Sequence, residues 1–272
     1  MDKHLNEVEF SIFDTETTGL YPEAGDRIIE IAAIRFKADS SLDVFESLVN
    51  PQRPLCDSSQ KINNITSKML ENAPPIEKVL PDFFNFVKGS YLCAYNASFD
   101  FSFLKNESKL INYIFPEDLI AVDILKMAKI LLPNLAGYSL QNVANNLGIP
   151  TFSLHRALAD VKVSLEVFKK LKELLLNKEI TGIDSFLGLF AIDNFLENLK
   201  QQKVSQLKKA IDMGARLKIK YLSRTDAQLT EREIIPKEVT YSKKNCFLVA
   251  WCLLRNEERI FYIDGILHLE VI

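Results

Sequence analysis

The chain has 272 residues, with 33 Lys and Arg against 36 Asp and Glu, for a net charge of −3. That length allows one large or two ordinary domains with a packed core. The slight negative excess excludes a blanket attraction to nucleic acid, so any such site must be local or rely on cations. No apolar run reaches the roughly 18 residues of a membrane span. Met1-Asp2-Lys3-His4 leads into an acidic segment rather than the apolar core of a leader peptide. Cys56, Cys93, Cys246 and Cys252 show no metal-binding spacing. These features read as a cytoplasmic protein with free thiols and no membrane partner.

Residues 7–14 alternate polar and apolar and end in Ile12-Phe13-Asp14, the pattern of a strand. Ile28–Phe36 and Val44–Val49 predict two more, separated by short turns, which makes an antiparallel meander. Helical spacing follows at Ser67–Asn72 and Ile76–Val87. Tyr91–Tyr95 and Ile120–Asp123 read as short buried strands. Phe99–Asn112, Ile124–Leu131, Ser139–Leu147 and Ala157–Leu176 read as helices. Strands first, then strands alternating with helices, make an α/β layered domain with a mixed sheet.

Residues 177–203 are rich in Phe and Leu and show no clear strand, so they read as a linker or helical segment between a domain at 1–176 and another at 204–272. The last unit opens with a helix over Val204–Met213. It continues in strands at Leu217–Leu222, Thr230–Ile235, Cys246–Leu254 and Arg259–Ile263, a small mostly-β barrel or sandwich. His4 is expected in a loose terminus and His268 in a last strand.

Three stretches carry chemistry. In Asp14-Thr15-Glu16 a strand sends both carboxylates to one face, where they repel unless a cation lies between them. A bare D-x-E is also a common solvated strand end; the following Thr17-Thr18-Gly19 adds a turn whose backbone amides suit a phosphate or sugar edge. In Tyr95-Asn96-Ala97-Ser98-Phe99-Asp100, Asn96 or Ser98 would cap a helix and Asp100 would sit in its first turn, where it could equally complement the helix dipole. In His155-Arg156-Ala157-Leu158-Ala159-Asp160, a histidine stands in a loop before a helix that carries a carboxylate. Its ordinary pKa suits proton abstraction near neutral pH.

In order and spacing these residues resemble the DnaQ-like (DEDDh) exonuclease family, whose members include proofreading subunits of bacterial replicative polymerases. The resemblance covers about residues 7–176, with Ile29-Glu30-Ile31, Asn63–Leu70, Asp123 and Ser139–Pro150 also matching. It implies a ribonuclease H-like mixed sheet flanked by helices. It also implies 3′→5′ removal of nucleoside 5′-monophosphates, with Asp14, Glu16, Asp100 and Asp160 holding two divalent cations, Mg²⁺ or Mn²⁺, and His155 as general base. Thr15, Thr18, Leu20, Asn63, Asn96 and Phe99 would contact the 3′-terminal nucleotide. The sequence departs from the family at Tyr95 and Asn63, where many members have histidine, which bears on nucleotide contacts rather than on metal ligation.

Residues 204–272 resemble a WYL domain, a ligand- or nucleic-acid-sensing module with an SH3/Sm-like barrel; the name-giving triplet falls at Cys246-Phe247-Leu248 and departs in its first two residues. Tyr221, Arg232, Arg255 and Arg259 are its candidate contacts for an anionic ligand or single-stranded nucleic acid. Phe186-Leu187-Gly188-Leu189-Phe190 resembles a sliding-clamp-binding peptide without its leading Gln, against the plainer reading of an amphipathic helix between domains. DNA 3′ ends are the leading substrate, with an RNA-trimming enzyme and a non-catalytic sensor as alternatives. No polymerase region is present in the sequence, so proofreading would need a polymerase or clamp partner.

Overall fold

A computed structural model describes residues 2–55, 60, 63–151, 156–242 and 245–272, and omits the side chains of 193–196 and 198. The first sheet has the order β3-β2-β1-β4-β5. Its strands are β1 (Glu9–Thr17), β2 (Ile28–Lys37), β3 (Ser40–Leu48), β4 (Tyr91–Ala94) and β5 (Ala121–Asp123). The first three form the expected antiparallel meander, while β4 pairs parallel to β1 and β5 parallel to β4. The parallel ladders follow from the helices that return the chain between strands.

The helices are α1 (Ser67–Leu70), α2 (Ile76–Val87), α3 (Ala97–Leu110), α4 (Ile124–Leu131), α5 (Leu140–Asn146), α6 (Ala157–Leu176), α7 (Ile183–Phe190) and α8 (Asp193–Asp212). Alternation along the strands divides the sheet into two faces. Phe10, Ile12, Ala32, Ile34 and Phe36 pack with α4, α5, α6 and α7. Phe13, Ile31 and Ala33 pack with α2 and α3. β2 is buried along nearly its whole length, so it reads as a continuous apolar run.

The second sheet is fully antiparallel, with order β10-β6-β7-β8-β9. Its strands are β6 (Leu217–Leu222), β7 (Leu229–Ser242), β8 (Asn245–Cys252), β9 (Glu257–Tyr262) and β10 (Ile266–Val271). Strand β7 serves both neighbours, pairing with β6 through its first part and with β8 through most of its length, and its register shifts between Pro236 and Glu238. Leu217, Ile219, Leu248, Ala250 and Phe261 form the core with Val204 and Leu207 of α8.

Two expectations change. The N-terminus is docked rather than loose: His4 bridges to Gly182, and the buried Leu5 donates its N–H to Thr181 O at 2.8 Å. The helix expected from Val204 begins earlier: α8 starts at Asp193, directly after α7, and Ala191 between them bridges to Val122 of β5. The clamp-like residues Phe186, Leu187, Leu189 and Phe190 are buried, and the Phe186 ring lies 5.7 Å from Phe10 and 6.0 Å from Phe168. Leu222 of β6 joins the same apolar cluster, so α7 is the wedge between the two sheets, as the amphipathic reading expected. A clamp could reach these side chains only after the helix leaves the core. Phe190→Ala should therefore cost about 3–5 kcal/mol of unfolding free energy. A urea midpoint equal to wild type would place this helix outside the core.

The described cysteines, Cys93, Cys246 and Cys252, are buried free thiols, and Cys56 lies outside the described residues. No helix among the described residues is long and apolar enough to cross a membrane.

Candidate active site

Strand β1 delivers Asp14 and Glu16 to one face, as its period of two requires. Asp160, in the first turn of α6, joins them, and the three each bring a carboxylate oxygen within 4.8 Å of the others. Among the described residues this is the only group of three or more potential ligands so placed. Asp100 stands in the first turn of α3 just beyond β4 and is buried. It is not part of the 4.8 Å group, but its charge acts on both Asp14 and Glu16. Thr15 holds it, donating its N–H at 3.0 Å and its hydroxyl at 2.7 Å to Asp100 Oδ1.

Burial in this cleft, and then repulsion from Asp100, Asp160, Glu16 and Glu30, raises the Asp14 carboxyl well above the usual carboxylate range. Burial and then Asp160 push Glu16 up to about 8. Burial raises Asp100 to about 7 against the lowering effect of its two bonds from Thr15. Clustered hard oxygen donors that resist ionising alone are what a divalent cation relieves, so the residues present fit Mg²⁺ or Mn²⁺. His155 lies outside the described residues; its chain neighbour Arg156 is the N-cap of α6.

The expected nucleotide contacts divide. Leu20 is exposed, and Asn96 is exposed in a left-handed conformation with φ 66°. Asn96 occupies the cap position of α3 without a side-chain cap bond. Phe99 is half-buried, its ring 5.0 Å from Phe103. The other three face inward. Thr15 is engaged by Asp100, Asn63 donates its side-chain N–H to Thr17 O at 3.1 Å, and Thr18 donates its hydroxyl to Asp26 at 3.1 Å. The turn after β1 also keeps fewer open amides than its sequence suggests. The Thr18 N–H bonds Arg27 O, and the Tyr21 N–H bonds Asp26 Oδ2 at 3.0 Å. Asp26 can lie across this turn because residue 19 is glycine: a Cβ there would sit 2.3 Å from the Asp26 carboxylate.

In the second sheet, Tyr221, Arg232 and Arg259 line a cavity of about 110 Å³, while Arg255 is exposed and not part of it. Tyr221 is itself buried, its Oη accepting the Tyr262 N–H at 3.4 Å. Sequence reasoning missed Arg224, which also lines the cavity. Its guanidinium lies 4.1 Å from the Tyr262 ring centroid and pairs with Asp264. The only signal was a cation in the turn before β7. Burial lowers Lys126 of α4 to about 8, and the charges of Asp264 and Arg224 act on it in opposite directions.

Residues 11–168 match the family model described as Exonuclease, and residues 202–271 match the WYL domain model. A DNA polymerase III PolC-type protein of Caldanaerobacter subterraneus subsp. tengcongensis is 34% identical over 248 residues, covering 90% of this chain and 17% of that protein. The chain spans 17% or less of the length of the PolC-type relatives it matches. The DNA polymerase III subunit epsilon of Treponema pallidum is 41% identical over 163 residues, covering 59% of this chain and 75% of that protein. In fold, E. coli exonuclease I, solved with a dT13 oligonucleotide, superposes over 95% of this chain and 64% of its own with a TM-score of 0.59 at 16% identity. The chain belongs to the exonuclease family and carries a WYL domain after its nuclease sheet.

Proposed function

We propose that the protein is a 3′→5′ exonuclease that removes nucleoside 5′-monophosphates from DNA 3′ ends, in proofreading or repair. The observation that carries this reading is the convergence of Asp14, Glu16 and Asp160 within 4.8 Å, with Asp100 held beside them by Thr15. DNA is favoured over RNA because the relatives at 34% and 41% identity bear the names of replicative DNA polymerases. Those names also make a polymerase the favoured partner.

Asp14, Glu16, Asp100 and Asp160 would hold two divalent cations, which when bound supply neutralisation of the phosphate charge and a lowered pKa for water. Thr15 keeps the Asp100 carboxylate oriented through both of its donors. The exposed Leu20 and the half-buried Phe99 are apolar surfaces against which a terminal base and sugar can pack. His155 would take the proton of the attacking water. Attack at the terminal phosphorus then breaks the bond to the 3′ oxygen and leaves a 5′-monophosphate. Arg224, Arg232 and Arg259 give the WYL domain a cationic cavity suited to phosphate of the same strand.

The test is matched 5′-labelled single-stranded DNA and RNA with Mg²⁺, Mn²⁺ or EDTA, beside His155→Ala. A metal-dependent ladder shortening from the 3′ end, faster on DNA and lost in the variant, is expected. Faster loss of RNA would transfer the assignment to RNA ends, and no cleavage of either strand would sink it.

A further inference from the structure

The metal-ligand candidates sit on three separate elements, β1, α3 and α6, and something must hold the helices in register with the strand. Two buried glutamates do so in the same way. Glu30 of β2 is fully buried and lies opposite Glu16 in the β1–β2 ladder. Its charge acts on both Asp14 and Glu16. Arg156 grips Glu30, with Nε at 3.1 Å from each carboxylate oxygen and Nη2 at 2.6 Å from Oε1. The next residue, Ala157, donates its backbone N–H to Oε2 at 2.9 Å. Arg156 is the N-cap of α6 and makes no side-chain cap bond of its own, so Glu30 caps this helix from across the sheet. Arg156 directly follows His155, and its carbonyl accepts the N–H of Asp160 at 3.0 Å.

Glu107 repeats the arrangement. It is fully buried on α3, about two turns beyond Asp100. Arg27 reaches it with Nε at 2.9 and 3.0 Å and Nη2 at 2.7 Å, and the next residue, Ile28, donates its N–H at 3.0 Å. In both cases one carboxylate takes an arginine fork plus the following backbone N–H. In both cases the tie joins β2, the neighbour of β1, to a helix bearing a ligand.

We infer that Glu30–Arg156 and Glu107–Arg27 are positioning pairs that set Asp160 and Asp100 against Asp14 and Glu16. This rests on the metal-dependent nuclease reading above. The carboxylates of the pairs contact no substrate; they fix how far α6 and α3 stand from β1. Partners that orient metal ligands commonly change metal affinity or rate by about 10–100-fold when altered.

The experiment is a Mn²⁺ titration followed by electron paramagnetic resonance on the full chain, with steady-state cleavage measured in parallel. The variants are Glu30→Gln, Glu30→Ala, Arg156→Lys and Glu107→Gln. Lys172→Met is the control: it removes a buried cation of α6 that bonds Ala38 O at 2.8 Å, remote from the first turn. The expected result is Mn²⁺ affinity weakened about tenfold and kcat lowered by about tenfold or more, with KM for the oligonucleotide changed little. Glu30→Gln should be milder than Glu30→Ala, because an amide oxygen still accepts the Ala157 N–H. Lys172→Met should bind Mn²⁺ as wild type does even where its melting temperature falls equally. Wild-type Mn²⁺ affinity in Glu30→Gln, Arg156→Lys and Glu107→Gln would overturn the positioning roles alone. A wild-type protein that binds no Mn²⁺ would instead overturn the metal reading beneath them.

Discussion

Asp14→Ala is expected to slow 3′-end cleavage on the order of a thousandfold, which is about 4 kcal/mol of barrier, while leaving the fold intact or more stable. The two halves of this expectation have one cause. Asp14 is half-buried in the cleft, where desolvation and repulsion from Asp100, Asp160, Glu16 and Glu30 act on it together. In the metal-free protein its ionised form is therefore a liability, and alanine removes the liability along with the ligand. Single-turnover cleavage of labelled DNA reads the first half. Thermal melts in EDTA at about pH 8 read the second, where the variant should melt at or above the wild-type temperature. A variant that loses activity only because it unfolds in EDTA would remove Asp14 from the reaction. Stability gained by deleting a catalytic group is what a preorganised charged site entails.

The pH dependence of the metal-free melt should be equally large. Glu16 and Asp100 have folded pKa values raised to about 8 and about 7, and Asp14 is raised well above its ordinary value. Each lies above its unfolded value, so the folded chain binds protons that the unfolded chain has already released. The stability these groups contribute is complete below the unfolded carboxylate range, about pH 4. It drains away as pH climbs through about 7 for Asp100 and about 8 for Glu16. In EDTA the melting temperature should therefore fall between about pH 5 and pH 8. Mg²⁺ should reverse the fall, raising the melt more at the upper pH than at the lower one, since the cation binds the ionised site of the folded state alone. A flat EDTA profile would mean that the carboxylates already have compensating partners.

The site was legible in the sequence where chemistry follows local spacing. Asp14 and Glu16 share a face because they are two apart on a strand, and Asp160 lies in the first turn of a helix whose apolar positions recur at helical intervals. Ile76–Val87 and Ala157–Leu176 kept their predicted limits for the same reason. What was not legible depended on distant partners. The bond from Thr18 to Asp26, which lies across Gly19, is one such contact. Glu30 looked like one more residue of a buried strand, because its partner lies 126 positions away. Helix α7 was read from Phe186–Phe190 as an amphipathic helix, but its start at Ile183 and its place between the two sheets were set by contacts with distant residues such as Phe10 and Leu222. The first half of α8 carries Glu197, Lys200, Gln201 and Gln202, polar residues that hid its continuity with the stretch after Val204.

The burial of α7 bears on how the molecule comes apart. The nuclease family's extent ends at residue 168, yet Phe10 and Phe168 are covered by Phe186, and Leu222 of the second sheet adjoins the same cluster. A chain cut after residue 176 would leave two phenylalanine rings facing water. Evolutionary module and cooperative folding unit therefore have different edges in this protein: melting the tail should strip protection from amides in β1 and α6, and the two sheets should unfold in one transition rather than in sequence.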